Sequence, residues 1–139
     1  MALIHGTTGI FYFVHEFKPS FREDAIFRYP DIVSEVTNTN RLIKSLAPVL
    51  KSPTISGIIE VNSTAPIAAM VKRFESTTYI FAVAMQNSPS TAQIHLADAR
   101  QSHGVRVIGE NRTLPIVAGY FEDKFEGYGV HLYQLVDRD

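Results

Sequence analysis

Tyr120-Phe121-Glu122-Asp123-Lys124-Phe125 and Val130-His131-Leu132-Tyr133-Gln134-Leu135 flank Gly127-Tyr128-Gly129 near the end of the chain. Two short runs rich in aromatic and apolar residues, parted by turn glycines, read as neighbouring strands. The same reading extends upstream to Leu114–Val117, Val105–Ile108, Ala92–Leu96, Thr78–Met85, Ala69–Phe74 and Ile55–Val61. Turn residues separate them at Asn87-Ser88-Pro89-Ser90, Ser102-His103-Gly104 and Gly109-Glu110-Asn111. Short strands punctuated at roughly ten-residue intervals predict an antiparallel β-sandwich of about seven to eight strands.

Upstream of Pro53 the period changes. Ile32, Val33, Val36, Asn40, Ile43 and Leu46-Ala47 recur at helical spacing, with Glu35, Arg41 and Lys44 on other faces. This is an amphipathic helix, opened by Pro30 or Asp31 and expected to end at Ala47-Pro48. Further upstream, Ile10-Phe11-Tyr12-Phe13-Val14 is apolar without alternation, the pattern of a strand covered on both faces. The fold class is therefore mainly β with one major helix (α+β), a sandwich preceded by a strand-loop-helix segment. Two parts follow, 1–50 and 51–139. The order of strand, helix, then strands alone suggests a cut from a larger fold.

Composition narrows the function. The chain has 139 residues, 45% hydrophobic and 19% charged, which is ample for a packed globular core. Thirteen basic residues are scattered among fourteen acidic ones, giving a net charge of -1 and no footprint for nucleic acid. Cysteine is absent, so disulfides and thiolate chemistry are excluded. Met1-Ala2-Leu3-Ile4-His5 carries no basic leader segment, and no apolar run is long enough to span a membrane. The chain as written is expected to be cytoplasmic, while a full-length parent is compatible with secretion.

Several segments together resemble a known family. His5-Gly6-Thr7-Thr8-Gly9-Ile10-Phe11-Tyr12-Phe13 is similar to the last barrel strand of bacterial clan-A (TIM-barrel) glycoside hydrolases and their relatives. Asn40-Arg41-Leu42-Ile43-Lys44-Ser45-Leu46-Ala47-Pro48-Val49-Leu50 resembles the helix that leads from that strand into their C-terminal sandwich. Tyr79–Ala84, Val107–Arg112, Phe121–Phe125 and Val130–Tyr133 look like the pattern of the sandwich itself. The resemblance implies a barrel-derived segment over 1–50 and an accessory domain over 51–139. It places the catalytic carboxylate pair on earlier barrel strands, so no catalytic residue carries over and the chain is expected not to be an enzyme in isolation.

The candidate contacts are few. If Ile10–Val14 is a barrel strand, His15 and Glu16 lie at its C-terminal mouth, where barrel sites are built. A polar strand end is the plainer reading of both. Glycoside hydrolysis needs two facing carboxyl groups, and only Glu16, Glu23 and Asp24 lie near that end. Tyr120 and Tyr128, beside turn glycines, are the aromatics placed to meet a carbohydrate, whereas Tyr79, Phe81 and Phe121 read as core. The five histidines fit no metal-ligand spacing, and His131 reads as a hydrogen-bonded, half-buried residue. No cofactor motif is present: Gly6-x-x-Gly9 lacks the Lys-Ser/Thr of a phosphate loop.

A strand cut from its barrel exposes both hydrogen-bonding edges and aromatic faces, which is an aggregation hazard unless it is covered. The expected solution is a homodimer joined through Ile10, Phe11, Tyr12, Phe13 and Val14 and the apolar helix face. The expected function is a non-catalytic accessory or interaction domain. A carbohydrate- or small-ligand-binding module and a subunit of a split glycosidase are the alternatives.

Overall fold

The computed structural model describes residues 1–97, 99 and 102–137. Two helices, α1 (Pro30–Ser45) and α2 (Ala47–Lys51), precede nine strands among the described residues. These are β1 (Thr54–Ile55), β2 (Ile59–Ser63), β3 (Ile67–Phe74), β4 (Thr77–Ala84), β5 (Ser90–Leu96), β6 (Ser102–Val107), β7 (Thr113–Pro115), β8 (Tyr120–Phe125) and β9 (Val130–Asp137). Single 3-10 turns occupy Ala2–His5 and Ala25–Arg28. The strands form two antiparallel sheets, ordered β1-β3-β4-β9-β6-β7 and β2-β5-β8. The chain changes sheet after β1, β2, β4, β5, β7 and β8, which makes the pair a sandwich.

Two tight turns share one backbone geometry, and the first sets the register of β3 on β4. Glu75 and Ser76 both have positive φ, 47° and 66°, and pair Phe74 with Thr77. Ala118 and Gly119 repeat this geometry at 51° and 87° and pair Val117 with Tyr120. In the β3–β4 hairpin, positive φ at both central residues matches the right-handed twist of the paired strands, whereas the Ala118-Gly119 turn passes the chain from one sheet to the other through a single bridge.

The core lies between the sheets. Val71, Ile80, Ala82, Val105, Val107 and Tyr133 of the large sheet meet Ala92, Ile94, Leu96, Phe121 and Phe125 of the small one. A second, smaller core covers the other face of the large sheet, where Leu46 and Val49 of the helical segment pack on Met70 and Phe81. The fold thus has three layers, and β4 is their centre. Ile80 to Ala84 are all buried, so the strand that is apolar without alternation because both faces are covered is this one.

Four expectations are corrected. Ile10–Val14 forms no strand: among the described residues, Thr8 to His15 have no backbone hydrogen-bond partner. A strand is a property of a pair, and the only nearby ladder is the single bridge of Glu16 to Arg22. Pro48 does not end the helical path, because it sits in the first turn of α2, where its missing N–H has no partner to lose. The run Ile55–Val61 is split between two sheets by Ser56-Gly57-Ile58, with Gly57 at φ 77°. Ser102-His103-Gly104 is no turn but the start of β6, with a register shift between Ser102 and Gly104. A Cβ on Gly104 would stand 2.9 Å from the Leu114 carbonyl oxygen, so the glycine permits close strand approach here.

Candidate functional site

His15 and Glu16 flank an open groove of about 500 Å³ between residues 11–16 and the segment from Ala25 to Val36. Phe13, His15, Phe17 and Phe21 form a row of touching rings with centroid separations of 4.9 to 6.1 Å. The row is open to solvent, and Phe11 beside it is 98% exposed. The Glu16 carboxylate accepts a hydrogen bond from Arg28 Nη1 at 3.0 Å, and the Tyr12 hydroxyl donates to Asn40 Oδ1 at 3.0 Å. These two bonds tie the aromatic segment to the helical one. Among the described residues Glu16 is the one acid in the groove lining, so these residues do not bring two carboxyl groups together there. Asp24 points to Arg22, whose hydrogen bond holds its carboxyl below the usual range.

The other two candidates lie elsewhere. Tyr120, at the start of β8, stacks on His95 with centroids 4.3 Å apart and planes 24° apart. Glu60 of β2 sits 3.8 Å from His95 Nδ1, so the three residues share the outer face of the small sheet. Tyr128 lies past the opposite end of β8, in the turn to β9, at φ 57° and exposed. His15 and Glu16, Tyr120, and Tyr128 therefore belong to three separate surfaces. Among the described residues, no group of three or more His, Asp or Glu side chains is placed to hold a metal. No described helix is long and apolar enough to cross a membrane.

The densest polar cluster is one that residue patterns alone did not single out as a site. Asp123 of β8 points into the sandwich between Phe121 and Phe125. It accepts a fork of hydrogen bonds from Arg112, Nη1 to Oδ1 at 2.7 Å and Nη2 to Oδ2 at 2.9 Å. The buried Tyr133 hydroxyl of β9 donates to Oδ2 at 2.8 Å, and the Lys124 amide donates to Oδ1 at 2.8 Å. Arg112 Nε also donates to Glu110 Oε2 at 2.6 Å, and Glu110 Oε1 meets His131 Nδ1 at 2.6 Å. His131 Nε2 lies 3.1 Å from the Lys124 carbonyl. The cluster joins the small sheet through β8 to the large sheet through β9, with the β6–β7 loop as the strap.

Burial alone would raise the Asp123 pKa, but the hydrogen bonds from Arg112, Tyr133 and the Lys124 amide outweigh it and hold the carboxyl low. Glu110 behaves alike: desolvation opposes ionisation, and Arg112 and His131 overcome it. Burial pushes the Tyr133 hydroxyl up, with the Asp123 bond adding to it, while the Asp123 bond leads the upward shift of Arg112. Both acids are thus held as carboxylates at neutral pH. The arrangement fixes two sheets and a loop, and offers no acid poised to give up a proton. All five residues come from the sandwich segments that carried the resemblance. The readable signal was Asp123, a carboxylate at an inward register position between two phenylalanines.

No family model and no curated protein matches this chain. Among solved structures it is similar to AmyP in complex with maltose, at 9% identity and a TM-score of 0.57, over 76% of this chain and 20% of that one. It is also similar to an Anoxybacillus α-amylase described as a new glycosyl hydrolase subclass, at 11% identity and a TM-score of 0.55, over 89% and 24%. Gan42B, a GH42 β-galactosidase from G. stearothermophilus, aligns at 11% identity and a TM-score of 0.41 over 86% and 14%. At these identities the first two likenesses concern fold. Coverage of 89% cannot be met by the strands alone, so it takes in much of the helical N-terminal third. The chain spans a fifth to a quarter of the length of the first two structures.

Proposed function

We propose that this chain is a non-catalytic accessory and assembly domain of the kind joined to barrel glycoside hydrolases, and that it pairs with a second copy of itself. The observation that carries the reading is the uncovered N-terminal third. Helix α1 has sixteen residues and not one of them is buried. Phe11, Phe13, Phe17, Phe21 and Phe27 are 57–98% exposed. At roughly 200 Å² per fully open ring they present on the order of 700 Å² of apolar surface. Summed over the five rings, that is comparable with the roughly 800 Å² each partner buries in a standard interface. The unpaired backbone from Thr8 to His15 supplies hydrogen-bonding groups that a second copy can match.

Light scattering coupled to gel filtration tests the assembly. The intact chain should run at twice its 15.5 kDa mass. Phe11→Asp and Phe13→Asp should return it to monomers with unchanged circular dichroism, and Glu16→Ala should leave the dimer intact. A wild-type monomer at high concentration would refute the pairing. Release of nitrophenol from chromogenic glycosides by the purified chain would refute the non-catalytic role.

A second reading has its own support. The Tyr120–His95 stack on the outer face of the small sheet, with Glu60, Gln93 and Glu122 on the same face, combines a flat aromatic with polar side chains suited to a sugar. A glycan array on wild type and Tyr120→Ala separates it from the first: binding lost in the variant favours the module, and no binding in either removes it.

A further inference from the structure

Lys72 lies in the middle of β3 on the face turned toward the helices, and only 8% of it is exposed. Its ammonium donates to the Ser52 carbonyl at 2.8 Å, and no carboxylate of the described residues pairs with it. An ammonium has three hydrogens to place, and a buried cation with one neutral acceptor is costly unless an anion joins it. Lys72 borders a cavity of about 460 Å³ at the seam between the first turn of the chain, α2 and the edge of the large sheet. Lys51 stands on the same cavity, together with the hydroxyl-bearing Thr7, Thr8 and Thr54, and among the described residues no acid lines it. Leu50 and Met70 form an apolar wall beside these groups.

We propose that this seam cavity binds a small oxyanion, a phosphate or carboxylate group carried on a ligand whose apolar part rests on Leu50 and Met70. Two lysines without a counter-acid exclude a cation. The volume suits a compact ligand, not a polymer. The anion completes the hydrogen bonding of Lys72, and Lys51 closes on it from the rim. Because the cavity wall comes from both the N-terminal turn and the sandwich, bound anion also ties the first third of the chain to the sheet.

Titration calorimetry at constant ionic strength tests this with three probes: inorganic phosphate, phenyl phosphate and benzoate. A saturable one-to-one heat is expected, with phenyl phosphate binding more tightly than inorganic phosphate. Lys72→Met should weaken binding by roughly tenfold or more, the size of a lost charged hydrogen bond. Lys51→Met, at an exposed position that tolerates change, should weaken it less, and Lys124→Met on the far sheet should not affect it. If Lys72→Met fails to fold, Lys51→Met carries the test. Absence of saturable binding for all three probes overturns the proposal, as does unchanged affinity in both Lys72→Met and Lys51→Met.

Discussion

Asp123→Ala is the perturbation that best tests the reading of the polar cluster. The substitution removes both arms of the Arg112 fork, the Tyr133 hydroxyl's acceptor and the Lys124 amide's acceptor. Tyr133 is fully buried, so stranding its hydroxyl costs about 1–3 kcal/mol. Arg112 is one-third exposed and keeps Glu110 at 2.6 Å, so its loss falls below the roughly 3–5 kcal/mol of a fully buried broken pair, at about 1–2. The sum is on the order of 3 kcal/mol, or a fall in Tm of about 10 °C for a chain of this size. Urea unfolding monitored by circular dichroism measures it. Tyr133→Phe sharpens the test, because its sign depends on the background. In the wild type it removes a made hydrogen bond and costs about 1 kcal/mol, whereas in Asp123→Ala it removes an orphaned hydroxyl and should be neutral or stabilising. A loss under about 1 kcal/mol for Asp123→Ala, or an equal cost of Tyr133→Phe in both backgrounds, refutes the argument.

The same cluster sets an acid limit. Asp123 and Glu110 ionise more readily folded than unfolded, so the unfolded chain binds more protons near their ordinary values of 3.8 and 4.5. Their stabilisation is complete above about pH 5 and drains as pH falls through the lower folded values, a slope that Asp123→Ala should flatten in acid-titrated melts. Gly104→Ala drives a Cβ to 2.9 Å from the Leu114 carbonyl and should cost about 1–3 kcal/mol in the same urea assay, with β6–β7 amides losing protection first. Ala118→Asn creates the Asn-Gly pair preferred where both central turn residues have positive φ, at an exposed position already at φ 51°, and should raise stability by about 0.5–1 kcal/mol.

Most strands were readable from residue types because their ends are marked by local chemistry. Tyr120–Phe125 forms a strand with the expected limits, and the limits of β3, β4 and β5 fall within two residues of those read from residue types. What misled was any signal whose meaning depends on a distant partner. The apolar run Ile10–Val14 has the composition of a doubly covered strand but meets no ladder, while β4, with the same composition, has neighbours on both edges. Gly104 reads as a turn until the Leu114 carbonyl beside it is known. The candidate sites divide in the same way. The exposure of Tyr120 and Tyr128 follows from their turn glycines, but the meeting of Glu110, Arg112, Asp123, His131 and Tyr133 needs the pairing of β6 with β9 in one sheet and the packing of β8, in the other sheet, against them. Lys72 carried a local clue, a cation directly after Ala69-Met70-Val71 on the inward side of a strand, whose surroundings appear only when the helices close over it.

Helix α1, with no buried side chain, has a consequence for timing. Isolated helices shorter than about 12–15 residues are marginal in water, and α1 exceeds that length by little. Its amide protons should exchange on the clock of local opening, long before the sandwich surrenders its own. In the proposed dimer, where its apolar stripe is covered, those amides should take on the slow exchange of the assembled body. Under the proposed pairing, folding to completion and finding a partner are a single event for this helix.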